Sequence, residues 1–133
     1  MTVSEHITFY AKMKGVPSPK RETKRLIQQL SLTKEKNKLA GTLSGGNKRK
    51  LSVAIALVGS PPVVLLDEPS AGMDPQARRF MWQVIAGVTK THQGEEGASA
   101  VILSTHSMEE AEALSTKMGI MVKGGQFRCF GSS

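Results

Sequence analysis

The residues of this chain that could do chemistry fall in two short strings. Residues 43–50 read Leu43-Ser44-Gly45-Gly46-Asn47-Lys48-Arg49-Lys50, and residues 63–69 read Val63-Val64-Leu65-Leu66-Asp67-Glu68-Pro69. In the second string an apolar run ends in two acids. An acid at the C-terminal end of a buried parallel strand stands where α/β sheets place their ligands. Asp67 there can help hold Mg²⁺, and Glu68 beside it can align and deprotonate an attacking water. Taken alone, an Asp-Glu pair could equally cap the next turn. In the first string the glycines leave backbone N–H groups open to a phosphate, the following helix adds its positive end, and Ser44 offers a hydroxyl. The same residues would also serve as a plain helix start. No Gly-x-x-x-x-Gly-Lys-Ser/Thr loop, the usual cradle for β- and γ-phosphates, occurs anywhere in the sequence. The parts that would finish hydrolysis of a triphosphate are present without the part that would grip it.

His106 follows the apolar run Ala100–Leu103 after Ser104-Thr105. It is expected near the same sheet edge as Asp67, where an imidazole can hydrogen-bond a γ-phosphate and report its loss. The bland alternative is a residue that merely precedes the helix cap Ser107. Ser70-Ala71-Gly72-Met73-Asp74 connects the acids to the next helix. This loop is placed to touch both the water site and a partner surface, or else simply joins strand to helix. Met73 reads as packing, and His6 and His92 as ordinary helix and loop residues.

The elements that must position these groups can be read from periodicity and caps. Thr2-Val3-Ser4-Glu5 fits a capping box that opens a helix from Val3 to about Lys14, stopped by Gly15 and Pro17. Ser18-Pro19 starts a second helix with an apolar stripe of Leu26, Ile27 and Leu30. Ser31–Thr42 is polar, basic and loop-like. After Gly46, the i, i+3, i+4, i+7 spacing of Leu51, Ala54, Ile55 and Val58 predicts a helix covered on most sides, stopped by Gly59-Ser60-Pro61-Pro62. Val63–Leu66 and Ala100–Leu103 read as strands buried on both faces, as in a parallel sheet. Asp74-Pro75 opens a helix whose core face is Ala77, Phe80, Met81, Val84, Ile85 and Val88. His92–Ser99 reads as a surface loop. Ser107-Met108-Glu109-Glu110 reads as another capping box, Met118–Val122 as a third strand, and Lys123-Gly124-Gly125 as the turn of a terminal hairpin into Gln126–Phe130. Strands alternating with helices give an α/β domain.

Composition sets wider bounds. The 133 residues suit one ordinary domain, and 39% hydrophobic content is enough for a core. No apolar run reaches the roughly 18 residues needed to span a bilayer, so any membrane link must come through another segment or chain. The single Cys129 excludes an internal disulfide and a cysteine-rich zinc site, and suits a reducing compartment. The net charge of +7 comes mostly from the basic residues of Lys12–Lys50. Only 5% of the chain is aromatic, so the stacking platforms of a nucleic-acid groove are lacking and a solvated basic face is expected.

In this order, the strings resemble the C-terminal portion of an ABC-type ATPase domain over essentially the whole chain. Leu43-Ser44-Gly45-Gly46 is similar to the family's signature motif, Val63–Glu68 to its Walker B strand, Ser70–Asp74 to its D-loop and His106 to its switch histidine. Asn47, where many members carry Gln, and the strings Asn47–Ser52, Asp67–Pro75 and Ser104–Leu114 resemble the A subfamily, large eukaryotic transporters that mostly move lipids. Thr2–Ala11 resembles the segment just after the family's Q-loop. The Walker A lysine, base-stacking aromatic and Q-loop glutamine have no counterpart.

The resemblance implies a partial P-loop NTPase: a helical signature subdomain over residues 1–60, and a parallel-sheet core over 61–133 that lacks its Walker A strand and ends in a β-hairpin. It implies ATP and Mg²⁺ as cofactors and a head-to-tail dimer with a second ABC ATPase domain. Asp67 would serve Mg²⁺, while Glu68 and His106 would act at the same site. Ser44, Gly45, Gly46 and Asn47 would close over ATP held by the partner, and Asp74 would belong to the loop coupling the two sites. Transmembrane domains of the same transporter are the other implied partners, which puts the chain at a membrane's cytoplasmic face. No nucleic acid is expected. On this reading the chain is a partial gene model or a truncated fragment of a much longer protein, inactive alone, with an open sheet edge where the Walker A strand would pair. Two other readings stay open: a chromosome-maintenance or DNA-repair ATPase, although no sustained heptads appear, and a non-enzymatic module that completes a partner's ATP site.

Overall fold

The computed structural model of the chain describes residues 1–90 and 99–132. It begins with two helices, α1 (Val3–Met13) and α2 (Pro19–Gln29). The α1 capping box is complete: the Thr2 hydroxyl accepts from the Glu5 N–H at 3.2 Å, and the Thr2 N–H donates back to the Glu5 carboxylate at 2.7 Å. The Thr2 N–H, helped by the Thr2 hydroxyl, holds the Glu5 carboxyl below its ordinary pKa. Ser18 precedes α2 with Pro19 in the first turn, but makes no side-chain cap. The polar stretch after α2 is more ordered than its composition suggests. It holds a 3₁₀ turn at Ala40–Thr42 and an antiparallel bridge between Thr2 and Leu39, so it is tied down at the start of α1.

Helix α3 (Gly45–Leu57) comes next, capped by the Ser44 hydroxyl, which accepts from the Asn47 N–H at 3.3 Å. Val3, Ile7, Ala11, Leu26, Leu30 and Leu32 are fully buried, and Leu51, Val53, Ala54 and Leu57 of α3 join them in one core. The Glu22 carboxylate of α2 accepts the Gly59 N–H at 3.0 Å and so ties α2 to the turn after α3.

Strand β1 (Val63–Asp67) and strand β2 (Ala100–Ser104) pair in parallel in a two-stranded sheet. The register sets Asp67 opposite Ser104. Helix α4 (Pro75–Lys90) lies between them in sequence, capped by the Asp74 carboxylate, which accepts from the Ala77 N–H at 2.9 Å. Met81, Val84 and Ile85 of α4 are buried, with Ala77, Phe80 and Val88 packed beside them. Helix α5 (Met108–Leu114) leads to strands β3 (Lys117–Val122) and β4 (Gln126–Ser132), an antiparallel hairpin that forms its own two-stranded sheet. Gly124 and Gly125 supply the left-handed backbone (φ 94° and 75°) of its turn.

Two expectations need correction. The strands of the parallel sheet are not buried on both faces: Val64 is 3% exposed, but Leu65 is 71% and Ile102 is 62% exposed. Side chains alternate across a strand, and the described residues place a covering layer on one face only. Ser107–Glu110 is half a capping box: the Ser107 hydroxyl accepts from the Glu110 N–H at 3.4 Å, but the Glu110 carboxylate turns to the Trp82 indole instead. The loop expected at His92–Ser99 falls, apart from Ser99, outside the described residues. Among the described residues, no helix is long and apolar enough to cross a membrane.

Candidate functional site

The parallel register of β1 and β2 brings the two strand ends, and hence the expected reactive groups, to one place. Ser104 donates its hydroxyl to the Asp67 carboxylate. Beyond the strand the Glu68 N–H donates to the Ser104 carbonyl at 2.9 Å, extending the ladder by one rung. Glu68 then turns sharply. Its φ is 47°, in the left-handed region that costs a non-glycine residue roughly 1–2 kcal/mol. The turn aims its carboxylate across to β2's continuation, where Glu68 Oε1 lies 2.9 Å from His106 Nδ1. The imidazole is 84% exposed and Glu68 31% exposed, so the pair sits at the rim of a solvent-open edge. Carboxylate and imidazole together can orient a water and relay a proton.

The loop after Glu68 is anchored by its middle. Ser70 and Met73 are buried, so Met73 packs in the core. Gly72 has φ 73°, and Asp74 is exposed at the start of α4 with its carboxylate committed to the cap.

The Ser44 turn keeps to itself. Its hydroxyl and carbonyl accept from Asn47 and Lys48 N–H groups, and no hydrogen bond among the described residues joins it to Asp67, Glu68 or His106. Ser44 and Gly45 are exposed, and a Cβ at Gly45 or Gly46 would meet nothing within 4 Å. The space before the first N–H groups of α3 is open to something from outside this chain.

No cluster of three or more His, Cys, Asp or Glu residues that could hold a metal occurs among the described residues. Asp67 with Glu68 beside it suits Mg²⁺ of the kind held by one or two carboxylates plus substrate phosphates.

With this geometry in hand, comparison with known proteins is decisive. Residues 1–71 match the family described as ABC transporter. The chain belongs to the ABC transporter family. Within that family it is 54% identical over 134 residues to the retinal-specific phospholipid-transporting ATPase ABCA4 of Bos taurus, covering 99% of this chain and 6% of that protein. It is 50% identical to ATP-binding cassette sub-family A member 7 of Mus musculus (100% and 6%) and 46% identical to the phospholipid-transporting ATPase ABCA3 of Rattus norvegicus (99% and 8%). This ABC transporter chain therefore spans under a tenth of the length of these relatives, all of the A subfamily. A solved structure with a TM-score of 0.83 and 20% identity aligns with 99% of this chain and 56% of its own; it is a dimeric, post-hydrolysis ATP-binding cassette bound to ADP and Pi. That likeness gives the ABC ATPase fold, of which this chain's helices and parallel strands are a part.

Sequence reading misses three features of the site. By sequence Ser104 is only a spacer before His106; the strand register makes it the partner of Asp67. The left-handed backbone at Glu68 leaves no trace in composition. The Trp82–Glu110 contact, 3.0 Å long and joining α4 to α5, is hidden because Glu110 also fits a local cap.

Proposed function

We propose that the chain is the signature, Walker B and switch-histidine part of an ABC transporter's ATPase domain, working in a larger protein that couples ATP hydrolysis to lipid movement across a membrane. The Glu68–His106 contact at the ends of two parallel strands carries this reading. Asp67 is the Mg²⁺ ligand beside it, Glu68 holds and deprotonates the attacking water, and His106 donates to the terminal phosphate from the opposite strand. Ser44, Gly45, Gly46 and Asn47 open the free end of α3 toward ATP held by a second ABC ATPase domain, and the Ser70–Asp74 loop lies at the junction of the two sites. Bound Mg-ATP supplies the phosphoanhydride and the metal's Lewis acidity. Residues 1–60 form the helical signature unit and 61–133 the sheet unit, on the cytoplasmic face of the membrane and coupled to transmembrane domains of the same transporter.

The sequence has no lysine-bearing phosphate loop, so the chain alone holds ATP weakly. Calorimetry with Mg-ATP should give no micromolar binding to the isolated chain. Fused in frame to the Walker A portion of an A-subfamily domain, the chain should hydrolyse ATP, and Glu68→Gln should slow turnover by roughly 10²–10⁴-fold, the range for a general base. A fusion that binds Mg-ATP and turns it over equally fast with Glu68→Gln would end this reading.

A further inference from the structure

His106 poses a positioning problem. Its side chain is 84% exposed, so packing does not orient it. The imidazole meets Glu68 only if the backbone on both sides of residue 106 is fixed. Upstream it is, because Ser104 bonds both to Asp67 and to the Glu68 N–H. Downstream lies α5, a helix of 7 residues, too short to be stable by itself.

What anchors α5 is unusual. Glu110, in its first turn, is 1% exposed. Among the described residues, the donor that reaches its carboxylate is the indole N–H of Trp82 on α4, at 3.0 Å. A buried carboxylate with one side-chain donor is an expensive way to fasten two helices; apolar residues of similar volume do so at least as well. A hydrogen bond adds direction, which apolar packing lacks: it fixes the rotation and axial register of α5 on α4. One turn away, Arg78 of α4 lies 4.0 Å from the Glu109 carboxylate at the rim of the same junction.

We propose that the Glu110–Trp82 hydrogen bond is a positioning device that sets the loop 105–107, and through it holds His106 against Glu68. Trp82 and Glu110 touch neither reacting group; they act through the backbone of α5. The inference concerns the placement of His106 and rests on the proposed function only for its purpose, so its test needs no nucleotide and can fail independently of ATP hydrolysis.

Trp82 is the one tryptophan of the chain, so its indole N–H gives a single, unambiguous NMR resonance in the full chain. In the unaltered chain that proton should exchange slowly and the ring resonances of His106 should reflect the Glu68 contact. Glu110→Gln keeps an acceptor and should leave both signals nearly in place. Glu110→Leu should speed indole exchange by about tenfold or more, the worth of one charge-assisted hydrogen bond, and displace the His106 ring resonances even though the apolar side chain keeps the fold. Trp82→Phe, which keeps an aromatic ring but removes the donor and part of the indole's volume, should displace the His106 resonances in the same direction. Methyl resonances of Ile7 and Leu26, remote in the helical core, report whether each variant remains folded. Unmoved His106 resonances in folded Glu110→Leu or Trp82→Phe would overturn the proposal and reduce the contact to a local fastening.

Discussion

The helices before residue 60 and the strands after it differ in how much of their apolar surface they cover. In the first region Val3, Ile7, Leu26, Leu30 and Leu32 are wholly buried, packed by α1, α2 and α3 against one another. In the second, Leu65, Ile102 and Met121 are 71%, 62% and 67% exposed. Yet the second region carries the assembled acid–imidazole pair, and the first carries only the open Ser44 turn. The fully buried helical side chains and the acid–imidazole pair thus lie in different parts of the chain. The helices pack a core that Val64 of β1 joins and leave Phe9, Met13 and Leu39 exposed at its edge, whereas the parallel sheet sets Leu65 beside Ile102 on an exposed apolar face of the kind that marks an interaction surface.

The largest expected effects come from cutting the two regions at matched positions. Leu26→Ala in the helical core removes a fully buried side chain and should cost about 2–5 kcal/mol in chemical denaturation. Leu65→Ala in the sheet removes a side chain that is 71% exposed and should change stability by less than about 0.5 kcal/mol. A loss at Leu65 as large as that at Leu26 would mean that the exposed sheet face is covered in solution, and the contrast would collapse.

Glu68 sharpens the comparison inside the second region. Its φ of 47° is a strain that glycine does not feel. Glu68→Gly should therefore raise stability by about 1 kcal/mol, less whatever the His106 hydrogen bond contributes at this exposed edge. The same substitution should displace the His106 ring resonances. A destabilised Glu68→Gly variant would show instead that the His106 contact outweighs the backbone cost. Backbone strain of this kind is maintained by the structure around it, here the rung from the Glu68 N–H to Ser104 and the buried Pro69 and Ser70 next in the chain.

How much of this is legible in the sequence differs by region too. Helical periodicity, the Thr2–Glu5 box and the Pro19 start are local signals, and they place α1, α2 and the core face of α4. The apolar runs at Val63 and Ala100 correctly announce strands and their parallel pairing. They misjudge burial, because an apolar run records the surroundings a strand is suited to, and only the packed chain reveals whether both faces are met. Glu68 and His106 can be assigned to one edge from the strand–acid and strand–imidazole patterns. Their 2.9 Å approach depends on a φ value and a register, which no composition encodes. Glu110 misleads for a related reason: a local partner and a distant one compete for the same carboxylate, and the distant Trp82 wins.

Gly59 tests the seam between the two regions. It sits at φ 76° just after α3, and a Cβ there would lie 3.3 Å from Val16 Cγ2. Gly59→Ala should cost about 1 kcal/mol or somewhat more, through a left-handed alanine and a crowded methyl. Thermal denaturation should show a drop of several degrees, about the shift expected for 1 kcal/mol in a domain of this size. An unchanged midpoint would mean that the turn can relax, and that the helical region is not rigidly joined to β1.

The smallest effect is electrostatic and belongs to the same seam. The Arg25 guanidinium makes two hydrogen bonds to the Glu22 carboxylate, and the Gly59 N–H adds a third. Together they outweigh the opposing effect of burial and hold the Glu22 carboxyl below its ordinary pKa. A carboxyl whose pKa is lowered by folding binds protons more readily in the unfolded chain. Its contribution to stability is therefore complete above the ordinary glutamate range, and is lost as pH falls through that range to the lowered folded value. Because the group is partly solvated and its partner Arg25 is 45% exposed, screening limits the gain to a few tenths of a kcal/mol. Glu22→Gln keeps an acceptor for Gly59 but cannot titrate. Subtracting its stability–pH curve from that of the unaltered chain should leave a small advantage for Glu22 at neutral pH that vanishes in acid. A difference that stays constant across the carboxylate range would place the value of Glu22 in its hydrogen-bond geometry, with charge contributing nothing measurable to the join between α2 and the strand that carries Asp67.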